Sequence, residues 1–193
     1  MIRKSFAGHA MVSRIQRGLR NLAQDTRGMS AVEFAMILPL MITMYIGAVE
    51  FSDALTVNRR VTAVASATAD LTSQAGQVTS DDVTDIFTAA TSILTPYSTT
   101  PVSIVLTSVV ADANNDTTVE WSCALNDSSR SEGSAFELPA GLTQPFSSII
   151  VAEVSYNYTP PLGKIITGNV NMSETFYLRP RSSLKVEMQG GGC

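Results

Sequence analysis

"RGMSAVEFAMILPLM", residues 27–41, decides how the whole chain is read. It begins a run in which Glu33 is the only charged residue between Met29 and Val49, and from Phe34 to Val49 there is none at all. As a helix rising about 1.5 Å per residue, Met29–Val49 spans roughly 30 Å, the hydrocarbon thickness of a bilayer. A buried core helix is the competing reading, because the wholly uncharged part is only residues 34–49. Pro39 is compatible with a membrane helix, where it predicts a kink or a frayed turn.

The charge distribution favours the membrane. Arg3, Lys4, Arg14, Arg17, Arg20 and Arg27 face only Asp25 within residues 1–28, a net +5, whereas the whole chain carries -4. Basic charge just before an apolar run holds that end in the cytoplasm. The acidic remainder is then the exported part, and no folded basic face suggests a nucleic-acid partner. A secretory signal peptide would need a shorter basic region and an A-x-A-like site after the apolar run. The expected organisation is a basic cytoplasmic leader (1–28), a transmembrane helix (29–49), a helical extension (50–75) and a periplasmic α+β domain (76–193).

Beyond Val49 the pattern turns amphipathic. Ala54, Val57, Val61, Val64, Thr68 and Leu71 recur at spacings of three and four, a seam that the rest of the chain or neighbouring copies must cover. No proline or glycine lies between Ala48 and Ala75, so the helix is expected to run to about residue 74 and to end at Gly76. Ser80, with Asp81 and Asp82 behind it, predicts the N-cap of a second helix carrying Val83, Ile86, Phe87, Ala90 and Leu94, closed by Pro96. The period then changes to two. "PVSIVLTSVVAD" (101–112) and "TTVEWSCAL" (117–125) predict a hairpin turning at Asn114-Asn115-Asp116. "SSIIVAEVSYNY" (147–158), "SETFYLRPR" (173–181) and "SLKVEM" (183–188) complete an expected antiparallel sheet, with Pro180 marking an edge or bulge. The fold class is α+β: one long helix, membrane-spanning then amphipathic, a short second helix and an antiparallel sheet, a pilin-like arrangement.

The inventory of reactive groups points away from catalysis. His9, in the basic head, is the one histidine, and the two cysteines cannot build a four-thiolate site. No phosphate-binding glycine loop occurs. Asp81, Asp82 and Asp85 lack calcium-loop spacing and suit a helix N-terminus instead. Neither an enzyme activity nor a cofactor or metal is expected. Cys123 and Cys193 lie in the part read as exported, where an oxidising compartment permits a disulfide. Two unpaired thiols, or an intermolecular bond through Cys193, are the alternatives.

A basic leader, Gly28, four small or apolar residues, Glu33-Phe34 and an apolar helix together resemble type IV prepilins. That resemblance implies removal of the leader between Gly28 and Met29 by a membrane-embedded prepilin peptidase. It also implies that Glu33 offsets the new Met29 ammonium of a neighbouring subunit. A carboxylate at mid-bilayer costs on the order of 2.5–3.5 kcal/mol, so a partner is expected; an uncleaved anchor with Glu33 snorkelling to the interface is the plainer alternative. More particularly, residues 25–74, with "AVEFAMILP" (31–39), "VEFSDAL" (49–55) and "RRVTAVASATADL" (59–71), are similar to the TadE/TadG-like family of the Tad (Flp, tight-adherence) pilus system. "VEWS" (119–122), "VAEVSYNYTP" (151–160) and "FYLRPR" (176–181) resemble a subset of it more loosely. The resemblance implies a single-pass inner-membrane pseudopilin or minor pilin with a periplasmic domain. Its partners would be other pilin subunits and the inner-membrane assembly machinery, with the helix seam among the packing surfaces. Major Flp pilins are far shorter and lack such a sheet, so the bulk fibre subunit is not expected. The alternative is a pilus-associated adhesin or surface-binding module, with "NDSSRSEGS" (126–134) or the Trp121 strand as its contact surface.

Overall fold

The computed structural model describes residues 21, 27–161, 168–190 and 193. The basic residues from Arg3 to Arg20, and His9, lie outside the described residues. The chain divides into two compact units, Met1–Ala48 and Val49–Cys193.

Helix α1 (Arg27–Gln74) contributes to both units and stays helical through Pro39. Pro39 has no N–H to give Ala35, four residues back; its own carbonyl accepts the Thr43 hydroxyl at 2.8 Å. In the first unit the described side chains from Gly28 to Ala48 are exposed apart from the half-buried Ile46.

The second unit is built around the rest of α1. Val57, Val61, Val64, Ala65, Thr68, Ala69, Thr72 and Ser73 are buried along one face. The buried hydroxyls of Thr68 and Thr72 donate to the Val64 and Thr68 carbonyls at 2.9 and 2.8 Å, which is how polar side chains sit in this apolar seam. The expected seam drifts at its end: Ala54 is half-buried, and Leu71 is 39% exposed while Thr72 is fully buried. A helix of 3.6 residues per turn slips about 20° per heptad against a 3.5-residue repeat, and by Leu71 the slip has moved the core face to Thr72 and Ser73. The seam is covered by this chain's own domain.

The chain then forms β1 (Gln77–Thr79) and helix α2 (Ser80–Thr91), followed by a single 3-10 turn, Ser92–Leu94. The cap of α2 is Thr79 and not the expected Ser80. Thr79 Oγ1 accepts from Asp82 N, and Asp82 Oδ2 accepts from Thr79 N at 2.8 Å. The residue three beyond Thr79 is a carboxylate, whereas three beyond Ser80 is Val83, so only Thr79 can close the reciprocal box.

Four strands, β2 (Val102–Ala111), β3 (Thr117–Leu125), β4 (Ser148–Tyr158) and β5 (Val170–Leu178), pair antiparallel in the order β3-β2-β4-β5. The β2–β3 turn is held by Asp112, whose Oδ1 accepts from Asn114 N and Asp116 N, both at 2.8 Å, with Asn115 at φ 68°. Asparagine tolerates that left-handed backbone better than most residues. One sheet face packs against α1 and α2 through Ile104, Leu106, Trp121, Ile150, Val154 and Tyr156. On the other face Val109, Ile149 and Val151 are covered by Phe136 and Leu138.

The final expected strand does not join this sheet. Only Glu187–Gln189 is extended, as β6, and it pairs parallel with β1. Pro180 lies beyond β5, and the residues after it are drawn to the end of α1. Arg181 N donates to Ser73 O at 2.8 Å, Ser182 Oγ donates to Gln74 O at 2.8 Å, and Trp121 Nε1 donates to Val186 O at 2.8 Å.

Candidate functional site

The first unit carries an apolar surface with one carboxylate. Met29, Phe34, Met36, Leu40, Met41, Met44 and Tyr45 are each more than half exposed, and so are Val32 and Ile37. Burying such side chains is worth roughly 1.5–3 kcal/mol apiece, so leaving this set in water costs on the order of 10–20 kcal/mol. The segment needs apolar surroundings. This helix is long and apolar enough to cross a membrane. Gly28 has open space around it, and Met29 and Glu33 are both exposed, one helical turn apart on α1.

In the second unit, the charged residues that lie off the seam tie α1 to the rest of the domain. Asp53 receives two tyrosine hydroxyls: Tyr97 Oη donates to Oδ1 at 2.5 Å and Tyr158 Oη donates to Oδ2 at 2.7 Å. Burial first, and then the bond to Asp53, push the Tyr158 hydroxyl's pKa well above its ordinary value. For Tyr97 the bond to Asp53 is the larger cause of a rise in the same direction. Arg60 donates to Ile93 O and Thr95 O at 2.6 and 2.5 Å, with its guanidinium 5.6 Å from the Tyr97 ring centroid. At the other end of the helix Arg181 pairs with Asp70 at 2.5 Å. Asp53 and Arg60 thus grip the segment after α2 and the end of β4, while Asp70 grips the segment after β5. Sequence periodicity places these three residues off the buried face and says nothing of their partners, which stand up to 111 residues away.

Cys123 and Cys193 are disulfide-bonded, with Cα atoms 5.3 Å apart. Cys123 is buried in β3 against the main core, and Cys193 is exposed. The bridge ties the chain's last residue to a sheet strand. Among the described residues no group of three His, Cys, Asp or Glu side chains is arranged to hold a metal ion. The Asp82 carboxylate is committed to Thr79, whose backbone N–H and hydroxyl hold its pKa below the usual carboxylate value.

No curated protein and no solved structure matches the chain. Residues 28–70 match the family model described as TadE-like protein. The matched stretch contains Glu33, the exposed apolar segment, and the Asp53, Arg60 and Asp70 side chains that hold the second unit together. Over residues 28–70, within α1, the chain is similar to TadE-like proteins.

Proposed function

We propose that this protein is a single-pass minor pilin or pseudopilin that takes part in assembling a Tad pilus. In this reading residues 1–28 form a cytoplasmic leader removed after Gly28, and Met29–Val49 is the membrane anchor. Residues 50–75 extend that helix, and the α+β domain stands in the periplasm. Glu33 offsets the new Met29 ammonium of a neighbouring copy as subunits gather. The observation that carries the reading is the uncovered apolar helix with a lone carboxylate near its start, inside the TadE-like match. Because the seam around Val57, Val61 and Val64 is occupied by the chain's own sheet, subunit contacts fall to the anchor and to exposed residues such as Phe51 and Leu55.

The test is substitution of Glu33 by alanine and, separately, by glutamine. Membrane insertion is expected to persist, because removing a charge makes the anchor more apolar. Recovery of the protein in sheared pili, or pilus assembly itself, is expected to fall at least tenfold. Undiminished assembly with both variants would overturn the role given to Glu33.

A further inference from the structure

The outer face of the sheet is only partly covered, and the uncovered part is polar in a regular way. The register sets Ser103 opposite Ser155 and Ser155 opposite Ser173, a row of hydroxyls across β2, β4 and β5. The Ser103 and Ser155 hydroxyls are 2.7 Å apart. The next row along the strands is Val105, Glu153 and Thr175. Arg130, from the β3–β4 loop, leans over this row. Its Nη2 donates to Glu153 Oε1 at 3.0 Å, its Nη1 stands 2.5 Å from Oε2, and its guanidinium lies 4.9 Å from the Phe136 ring centroid. The loop and the two rows enclose a groove of about 390 Å³, with Asp127 on its wall.

We infer that this groove binds a saccharide, neutral or amino-substituted. Sugar hydroxyls both donate and accept, as the serine and threonine hydroxyls of the floor do. The Arg130 terminal nitrogens are engaged with Glu153 and Thr107, which fixes the guanidinium and leaves its remaining N–H groups as donors, and the Asp127 carboxylate supplies acceptors. The strands lie about 4.8 Å apart in a rigid sheet, but the Ser103 and Ser155 hydroxyls close to 2.7 Å, so the floor offers a bonded hydroxyl pair with Ser173 beside it for the polar groups of a ring or chain to meet. Charge selects within the class. Glu153 already neutralises Arg130, and Asp127 adds negative charge at the groove, which disfavours phosphates and uronates. Val105 is the main apolar side chain of the floor, which disfavours an aromatic or acyl ligand. The site is separate from α1 and independent of the assembly role proposed above.

The test uses the full chain in a zwitterionic detergent without a sugar headgroup. Saturation-transfer NMR is recorded with three probes: an N-acetylglucosamine trimer, a glucosamine trimer and a galacturonate trimer. Transfer to the ring protons of one or both of the first two is expected at about millimolar sugar, a range that suits an open polar groove, and none to the uronate. Ser155→Tyr, which fills the groove, should weaken the signal at least tenfold. Should that variant lose its thermal transition, Ser173→Arg on the exposed edge strand decides instead. No transfer from either of the first two probes, equal transfer to the uronate, or binding that survives the blocking substitution would overturn the inference.

Discussion

Replacing Asp53 by alanine removes the acceptor shared by Tyr97 and Tyr158. A hydrogen bond to a charged group contributes about 1.5–3 kcal/mol, and a buried donor left without a partner costs a further penalty of similar size. Tyr158 is 4% exposed and bears that cost, whereas the half-buried Tyr97 recovers part of its bond from water. The expected loss is about 2–4 kcal/mol, which for a domain of this size lowers Tm by roughly 5–12 °C. Differential scanning calorimetry of the full chain in detergent reads it directly. A double-mutant cycle with Tyr158→Phe should give a coupling of about 1 kcal/mol or more. The linkage carries a sign as well. Tyr97 and Tyr158 have folded-state pKa values raised above the ordinary 10.0, so their contribution is complete below pH 10 and declines as the pH rises beyond it. Asp53→Ala should therefore flatten the alkaline limb of the stability profile, leaving the part due to burial, including that of Tyr156. A loss below about 0.5 kcal/mol with an unchanged alkaline limb would refute the reasoning.

Other substitutions separate strong contacts from weak ones. Cys193→Ser opens a loop whose ends are 70 residues apart and should cost about 4 kcal/mol on the chain-entropy account, read as a lower urea midpoint that dithiothreitol reproduces in the wild type. Arg181→Ala removes an ion pair whose side chains are 60% and 36% exposed, and should cost less than about 1 kcal/mol in the same titration. Thr79→Ala breaks the reciprocal cap of α2 and should cost about 1 kcal/mol, with amide exchange rising first at Asp81 and Asp82.

Local pattern was enough for the long helix and for β2, β3 and β4, because their apolar periods extend over nine or more residues. The Asn114–Asp116 turn was equally legible from its residue types. Short, non-local features were not. β1 and β6 are three residues each and pair only with one another, so neither has a period to read. Leu71 departs from the heptad template because the helix is straight, and Ser80 is the first helical residue, not the cap, because the hydroxyl residue just before it, Thr79, is the one with a carboxylate three positions on. The tyrosine grip on Asp53 left no trace in spacing, since it joins residues 44 and 105 positions apart. The apolar segment and Glu33 could be seen at once, because a lone carboxylate in such a run is a contrast that composition alone displays.

The central claim is that assembled subunits begin at the residue after Gly28, with Glu33 set against the amine so created. The most direct measurement is the amino-terminal sequence and intact mass of the protein recovered from sheared pili. The account predicts a chain starting at Met29; a chain in the fibre that still carries residues 1–28 would contradict it.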